Sequence, residues 1–404
     1  MFLMHKKQKI LIVIFFILIF LNLRIDPITA VEPLQATEPE PYYEPIERFG
    51  ITAPYNYSVE DLELFNIRSV LDWKADNTVI LPDSIDYIHV LKVSDELYSD
   101  TLNNLPTLIP NNLGEVWIIG NEPDRFCLQD SVNPEIYAER YHQIATNIRS
   151  LDPTAKLGFG TVVQPTPIRI RYLERAIDKL VELSGGNRES AMNLIDIWSI
   201  HAFILNEHPF TWGAGVPVGF YTYTYQDVID EKIREECYTG EVYDEEEISD
   251  KISISDFSDT HSIEIFIERI IFFRNWMYKI GEQEKPLWIT EYGSLFPPID
   301  PPCPPGEDNC VNYVNISDAE TANFMIDTFN YLLYAKNDSI GFPEDDYHLV
   351  QRWYWYSLND YRYNFGGSLL DPDNNYELTL VGNAYKSYTD YLISSKIFLP
   401  LIFR

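Results

Sequence analysis

Residues 115–124 read Glu-Val-Trp-Ile-Ile-Gly-Asn-Glu-Pro-Asp. A short apolar run closes on Gly120, and the chain then passes through Asn121 and a carboxylate, Glu122, before a proline. A run without apolar–polar alternation is what a strand covered on both faces of a parallel sheet requires. Asn133-Pro134 follows: a capping residue, then proline at the first helical position, the signal of a helix start. Tyr137, Tyr141, Ile144, Ile148 and Leu151 come at three- and four-residue spacing and predict one buried stripe. Strand, acid-bearing turn and helix together make one βα unit.

The unit repeats in both directions. Upstream, strands are predicted at Arg48–Thr52, Ser69–Trp73 and Asp86–Val93, with helices at Ser58–Asn66 and about Asp100–Ile109. Ser58 is the expected cap of the first helix, with Asp61 at its third position. Downstream, strands fall at Lys156–Val163, Ile195–Phe203, Pro286–Tyr292 and Val350–Leu358. Helices fall at Arg169–Leu183, Ile263–Ile280, Ala319–Ala335 and about Asn383–Ile393. Eight strands is the number that closes a barrel, so the prediction is an α/β fold, a (β/α)₈ TIM barrel over 48–394. An open doubly wound sheet is the alternative, but no GxGxxG or GxxxxGK[ST] follows any strand. Two βα loops are long, loop 6 (204–261) and loop 7 (293–318). In a barrel both rise on the face where such folds carry their sites. Gly213–Tyr225 reads as an ordered lid or wall, and the acidic stretch Asp244–Asp259 as a mobile one.

Position on the strand separates the acids. Glu115 and Asp196 stand at strand starts, where a structural role is the better reading. Glu122 and Glu291 stand at the ends of strands four and seven and could face each other across the barrel mouth. A buried salt-bridge pair is the competing reading for them.

The motifs Ile119-Gly120-Asn121-Glu122-Pro123-Asp124 and Trp288-Ile289-Thr290-Glu291-Tyr292-Gly293 resemble the large clan of retaining glycoside hydrolases with a (β/α)₈ fold, and the Gly-Asn-Glu-Pro-Asp run resembles the group with a glycosyl-hydrolase catalytic core. The resemblance implies Glu122 as acid/base, Glu291 as nucleophile, and Asn121 bound to the sugar hydroxyl beside the anomeric carbon. It implies double displacement on a β-glycan, with the carboxyl groups about 5–5.5 Å apart rather than roughly 6.5–9.5 Å. His201 matches a clan position contacting the nucleophile region; a satisfied core histidine explains it equally well. Trp355 matches an aromatic floor for the sugar, ahead of Trp353, which shares its parity. Lys74 stands near the end of strand two, where the clan often has arginine. Asp124 and Tyr292 are site neighbours without an assigned role.

Composition narrows the partners. The 30 Lys and Arg against 62 Asp and Glu give a net charge of −32, a surface that repels nucleic acid and anionic lipid. The expected partner is an oligo- or polysaccharide, on a monomer. With seven histidines and no HxH or HExxH, no metal and no cofactor is expected. A non-catalytic carbohydrate-binding surface protein that keeps the barrel is the rival from another class.

Residues 1–30 carry basic residues before an apolar run, the pattern of a secretory signal, with an uncleaved anchor as the alternative. A secreted or cell-surface location follows. Residues 31–47 form a Pro/Glu-rich spacer. Export suits four cysteines: Cys303 and Cys310 flank turn-forming residues, and Cys127 and Cys237 could then pair, although other connectivities stay open. The tail 395–404 is apolar and basic, and reads as a terminal strand under the barrel or a surface-retention signal.

Overall fold

Local signals start most helices where the sequence places them. Ser58 Oγ accepts the Asp61 N–H at 3.2 Å, and Asp61 returns a carboxylate to the Ser58 N–H at 2.8 Å. Asn133 Oδ1 accepts the Ile136 N–H at 3.0 Å. Each satisfies N–H groups that a helix start leaves without partners. The stripe of Tyr137, Tyr141, Ile144 and Ile148 is buried as expected, whereas Leu151 ends it at the surface.

The computed structural model describes residues 42–76, 79–207, 213–222, 224–230, 257–296, 316–360 and 365–402. In chain order the elements are β1 (Phe49–Thr52), α1 (Val59–Glu63), β2 (Ser69–Leu71), β3 (Asp86–Leu91), α2 (Tyr98–Asn111), β4 (Val116–Ile119), α3 (Pro134–Leu151) and β5 (Lys156–Val162). They continue as α4 (Pro167–Leu183), α5 (Arg188–Met192), β6 (Ile197–His201), α6 (Tyr225–Ile229), α7 (Ile263–Lys279), β7 (Leu287–Gly293), α8 (Asp318–Tyr334) and β8 (Arg352–Tyr356). A two-stranded antiparallel ribbon, β9 (Leu370–Asp371) with β10 (Glu377–Leu378), precedes α9 (Leu380–Ile402).

Strands β1 to β8 pair in sequence order, all parallel, and β1 closes on β8. This is the expected barrel. Leu71, Ile88, Val90, Ile118, Ile197, Trp288 and Tyr354, from six strands, fill its interior. The opposite strand faces, with Ile51, Trp117, Phe159, Trp198, Ile289 and Trp353, pack under the helices. Both faces of the sheet are therefore dry, which accounts for the missing alternation.

Two boundary expectations change. The end of the spacer belongs to the barrel base: Pro45–Arg48 forms a 3₁₀ turn, Ile46 is buried, and the Tyr43 ring lies 4.3 Å under the Arg352 guanidinium. Arg48 is tied to Asp345 at 2.5 Å. At the other end α9 continues to Ile402, so no terminal strand forms there; helix, with its hydrogen bonds internal, needs no sheet edge. Residues 1–30, and the spacer up to residue 41, lie outside the described residues. Among the described residues no helix is long and apolar enough to cross a membrane.

Candidate active site

The turn after β4 is built to present Glu122. Gly120 adopts φ +94°, and a side chain there would meet the Tyr137 ring at 2.9 Å. Tyr137 fixes the same corner, its hydroxyl donating to the Ile119 carbonyl at 2.9 Å and accepting the Gly160 N–H at 3.0 Å. Asp130 accepts the Asn121 N–H at 2.7 Å and the Val93 N–H at 3.1 Å. Glu122 itself has φ +45°, a left-handed conformation uncommon outside glycine, held by its N–H to the Thr161 carbonyl at 3.1 Å.

Across the mouth, Glu291 rises from β7, beside His201 of β6 in the sheet register. His201 lies between the two acids: Nδ1 is 3.0 Å from Glu122 Oε1 and Nε2 is 3.3 Å from Glu291 Oε1. The facing oxygens of Glu122 and Glu291 come within 4.8 Å of one another. All three side chains are buried.

Two further contacts make the acids unequal. Arg125 donates to Glu122 Oε2 at 3.1 Å. Trp73, at φ +57° just past β2, donates its indole N–H to Glu291 Oε1 at 2.5 Å. Burial works to raise the Glu122 pKa, but the Arg125 charge and the His201 contact outweigh it and pull it down to about 2. Burial pushes Glu291 up to about 7, reinforced by the Glu122 charge and opposed by His201. Burial lowers the pKa of His201, yet Glu291 and Glu122 together hold it above the ordinary histidine value.

Among the described residues, Glu122, His201 and Glu291 also form the group that could hold a metal ion. Arg125 and Trp73 already aim N–H donors at both carboxylates, and the Arg125 cation repels a metal. The donor set therefore fits shared protons better than a metal ion.

The other expected residues divide. Asn121 lies beside Glu122, buried, its side-chain amide donating to Gln129 Oε1 at 3.0 Å. Lys74 turns away to Asp72, 3.1 Å from its carboxylate, so Trp73 and not Lys74 brings the end of strand two to Glu291. Tyr292 and Trp355 point out of the barrel into the layer under the helices. Their rings are 5.2 Å apart, and the Trp355 indole is spent on the Gly367 carbonyl at 2.8 Å. Trp353 packs in that layer too. The aromatic residue of β8 at the mouth is Tyr356. Its ring is 5.8 Å from Trp73 and 6.1 Å from Phe203, and its hydroxyl donates to Asp360 at 2.6 Å. Trp73, Arg125 and Tyr356 escape sequence reading. With both sheet faces apolar, parity does not say which one lines the mouth, and nothing local marks Arg125.

Asp124 serves the wall rather than the mouth. It pairs with buried Arg169, which also holds Glu207 at 2.9 Å and the Gly215 carbonyl at 2.8 Å. Val218 donates to the Asp124 carbonyl at 3.0 Å, and Arg125 forms a backbone bridge with Pro217. The 213–222 part of loop 6 is thus pinned to the turn that carries Glu122. Most of the acidic stretch 244–259 and residues 297–315 of loop 7 lie outside the described residues. Cys237, Cys303 and Cys310 lie outside the described residues, and so do the pairings expected for the four cysteines.

No family model matches the chain, and no curated protein sequence is similar to it. Solved structures do align. One is a mutant of a GH128 subgroup I endo-β-1,3-glucanase from Amycolatopsis mediterranei, 14% identical, covering 84% of this chain and 99% of that one at a TM-score of 0.46. Another is a GH128 subgroup VII oligosaccharide-binding protein from Cryptococcus neoformans, 12% identical, covering 88% and 99% at 0.46. A third is a monomeric β-xylosidase from Caulobacter crescentus, 12% identical, covering 86% and 68% at 0.48. At such distances the chemistry must be read from this chain's own residues.

Proposed function

We propose that this protein is a retaining glycoside hydrolase acting on a β-linked glycan, with Glu122 as acid/base and Glu291 as nucleophile. The supporting observation is the approach of the two buried carboxylates to within 4.8 Å at the C-terminal end of the barrel. Retaining enzymes hold their carboxyls about 5–5.5 Å apart and inverting ones roughly 6.5–9.5 Å, and the close approach of the facing oxygens supports the retaining reading. In the first step Glu291 attacks the anomeric carbon as Glu122 protonates the departing oxygen. In the second, Glu122 takes a proton from water, which releases the sugar from Glu291. Trp73 orients the nucleophile through its indole, and Tyr356 with Trp73 offers ring faces for the sugar. Asn121 is the proposed partner of the adjacent sugar hydroxyl.

The test is a panel of β-glycans and aryl β-glycosides with wild type, Glu291→Ala and Glu122→Ala. Azide should rescue both variants, giving α-glycosyl azide from the first and β-glycosyl azide from the second. Turnover that survives Glu291→Ala unchanged sinks the assignment.

A second reading, a barrel that binds glycan without cleaving it, is favoured by one observation. The charge pattern of the pair is the reverse of the working one, Glu122 held ionised and Glu291 inclined to keep its proton. Glycan binding without turnover in the same panel selects it. Export through residues 1–30 to a secreted or cell-surface location belongs to the same proposal, and the disulfides expected among the four cysteines suit an oxidising destination. A monomer is proposed with it, its charge keeping copies apart.

A further inference from the structure

His201 sets one ring nitrogen against each carboxylate, at 3.0 Å from Glu122 and 3.3 Å from Glu291, and is 1% exposed. Both of its proton-carrying atoms are therefore engaged with the two reacting groups, which a histidine serving only as packing does not require. The far sides of the acids differ. Glu122 meets the charged guanidinium of Arg125, and Glu291 meets the neutral indole of Trp73. A cation favours the ionised form of its neighbour, so a proton shared by the pair rests on the Glu291 side. The directions of the two pKa values agree with this. The other groups acting on the trio are Asp124, which favours charge on His201, and Lys92, which favours ionised Glu291.

We propose that His201 is a proton bridge, passing a proton from Glu291 to Glu122 through its ring and so converting a resting arrangement held by Arg125 into the one that cleaves glycosides. The inference rests on the glycosidase reading above. In the resting arrangement Nδ1–H is donated to the Glu122 carboxylate, and the Nε2 lone pair faces the Glu291 carboxylic acid. The Glu291 O–H bond breaks as Nε2–H forms, and the Nδ1–H bond breaks as an O–H forms on Glu122. One proton joins the ring and one leaves it, so the ring ends neutral in its other tautomer. Glu291 is then the charged nucleophile and Glu122 the acid. Arg125, with 19% of its side chain exposed against 2% for Glu122, is the partner that a bound sugar displaces.

This assigns His201 a positioning and proton-transfer role with its own signature. Aryl β-glycosides of graded leaving-group acidity are compared in wild type, His201→Gln and His201→Phe. Poor leaving groups need protonation, so their kcat/KM should fall by about 100-fold or more, within the range of general-acid effects. Without the bridge Glu291 also keeps its proton, so at neutral pH every glycoside should lose activity. Well above pH 7, where Glu291 gives its proton to solvent, dinitrophenyl glycosides need no acid and should recover to within about 10-fold of wild type. An equal loss across the series at that higher pH overturns the bridge. ¹⁵N NMR of the histidine ring gives a readout that does not depend on these variants folding. The wild-type ring should carry its proton on Nδ1 and shift it to Nε2 in Arg125→Ala; one tautomer in both proteins overturns the proposal. Failure of the glycosidase reading is seen separately, as wild type inert toward the whole panel.

Discussion

At the scale of single residues, the site is governed by which donor each carboxylate meets. Arg125 is the element of asymmetry. In Arg125→Ala the Glu122 pKa should rise, because a cation 3.1 Å away no longer stabilises the charged form. The alkaline limb of kcat/KM, set by loss of the acid's proton, should then move up by about one pH unit or more. A pH–rate profile that stays in place would show that Arg125 does not set the acid. Trp73→Phe keeps the ring and removes the N–H from Glu291. A hydrogen bond to a charged group is worth about 1.5–3 kcal/mol, so kcat/KM should drop roughly 10- to 100-fold with little change in Tm. Neither residue stands out in the chain: a tryptophan after a short strand and an arginine three residues past a glutamate are ordinary. Only their distances give them meaning.

At the scale of elements, the turn after β4 and the wall of loop 6 act as one piece. Asp124, Arg169 and Glu207 join the turn to α4 and to the residues after β6, all of them buried. Arg169→Met leaves two carboxylates in the interior without their cation. We expect a loss of about 3–5 kcal/mol, read from urea unfolding, as for other broken buried pairs. Activity should fall as well, because Val218 and Pro217 hold the backbone of Asp124 and Arg125. A loss under about 1 kcal/mol, the range of exposed pairs, would place this network outside the stabilising core. The barrel strands and long helices were legible in the sequence because most of them carry a start signal or an apolar run; α5, α6 and the β9–β10 ribbon are too short to show such a run. The facing of Trp355 was not. In β8, Trp353 and Trp355 alternate with Tyr354 and Tyr356, and all but the partly exposed Tyr356 are buried, so hydrophobicity does not choose between the sets.

At the scale of the whole molecule, the buried acids link stability to pH. Folded Glu291 keeps its proton to about pH 7, while an ordinary glutamate gives it up near 4.5. Between those values the folded chain binds the extra proton, so this contribution is lost as pH rises. Glu122 works in the opposite sense, its contribution being lost as pH falls from about 4.5 towards 2. Glu291→Gln removes the first effect, and its Tm should gain on wild type steadily from pH 5 to pH 7. A constant difference would mean that Glu291 does not hold the proton. What the sequence determined alone was the eight-unit barrel and the strand-end stations of Glu122 and Glu291. Periodicity and capping are local, and a strand's direction decides which barrel face its last residue reaches. The tertiary structure decided the rest: Trp73 rather than Lys74 on Glu291, Tyr356 rather than Trp355 at the mouth, His201 between the acids, and which acid keeps the proton. These depend on distances between strands far apart in the chain, and Coulomb energy and hydrogen bonding follow those distances rather than the order of residues.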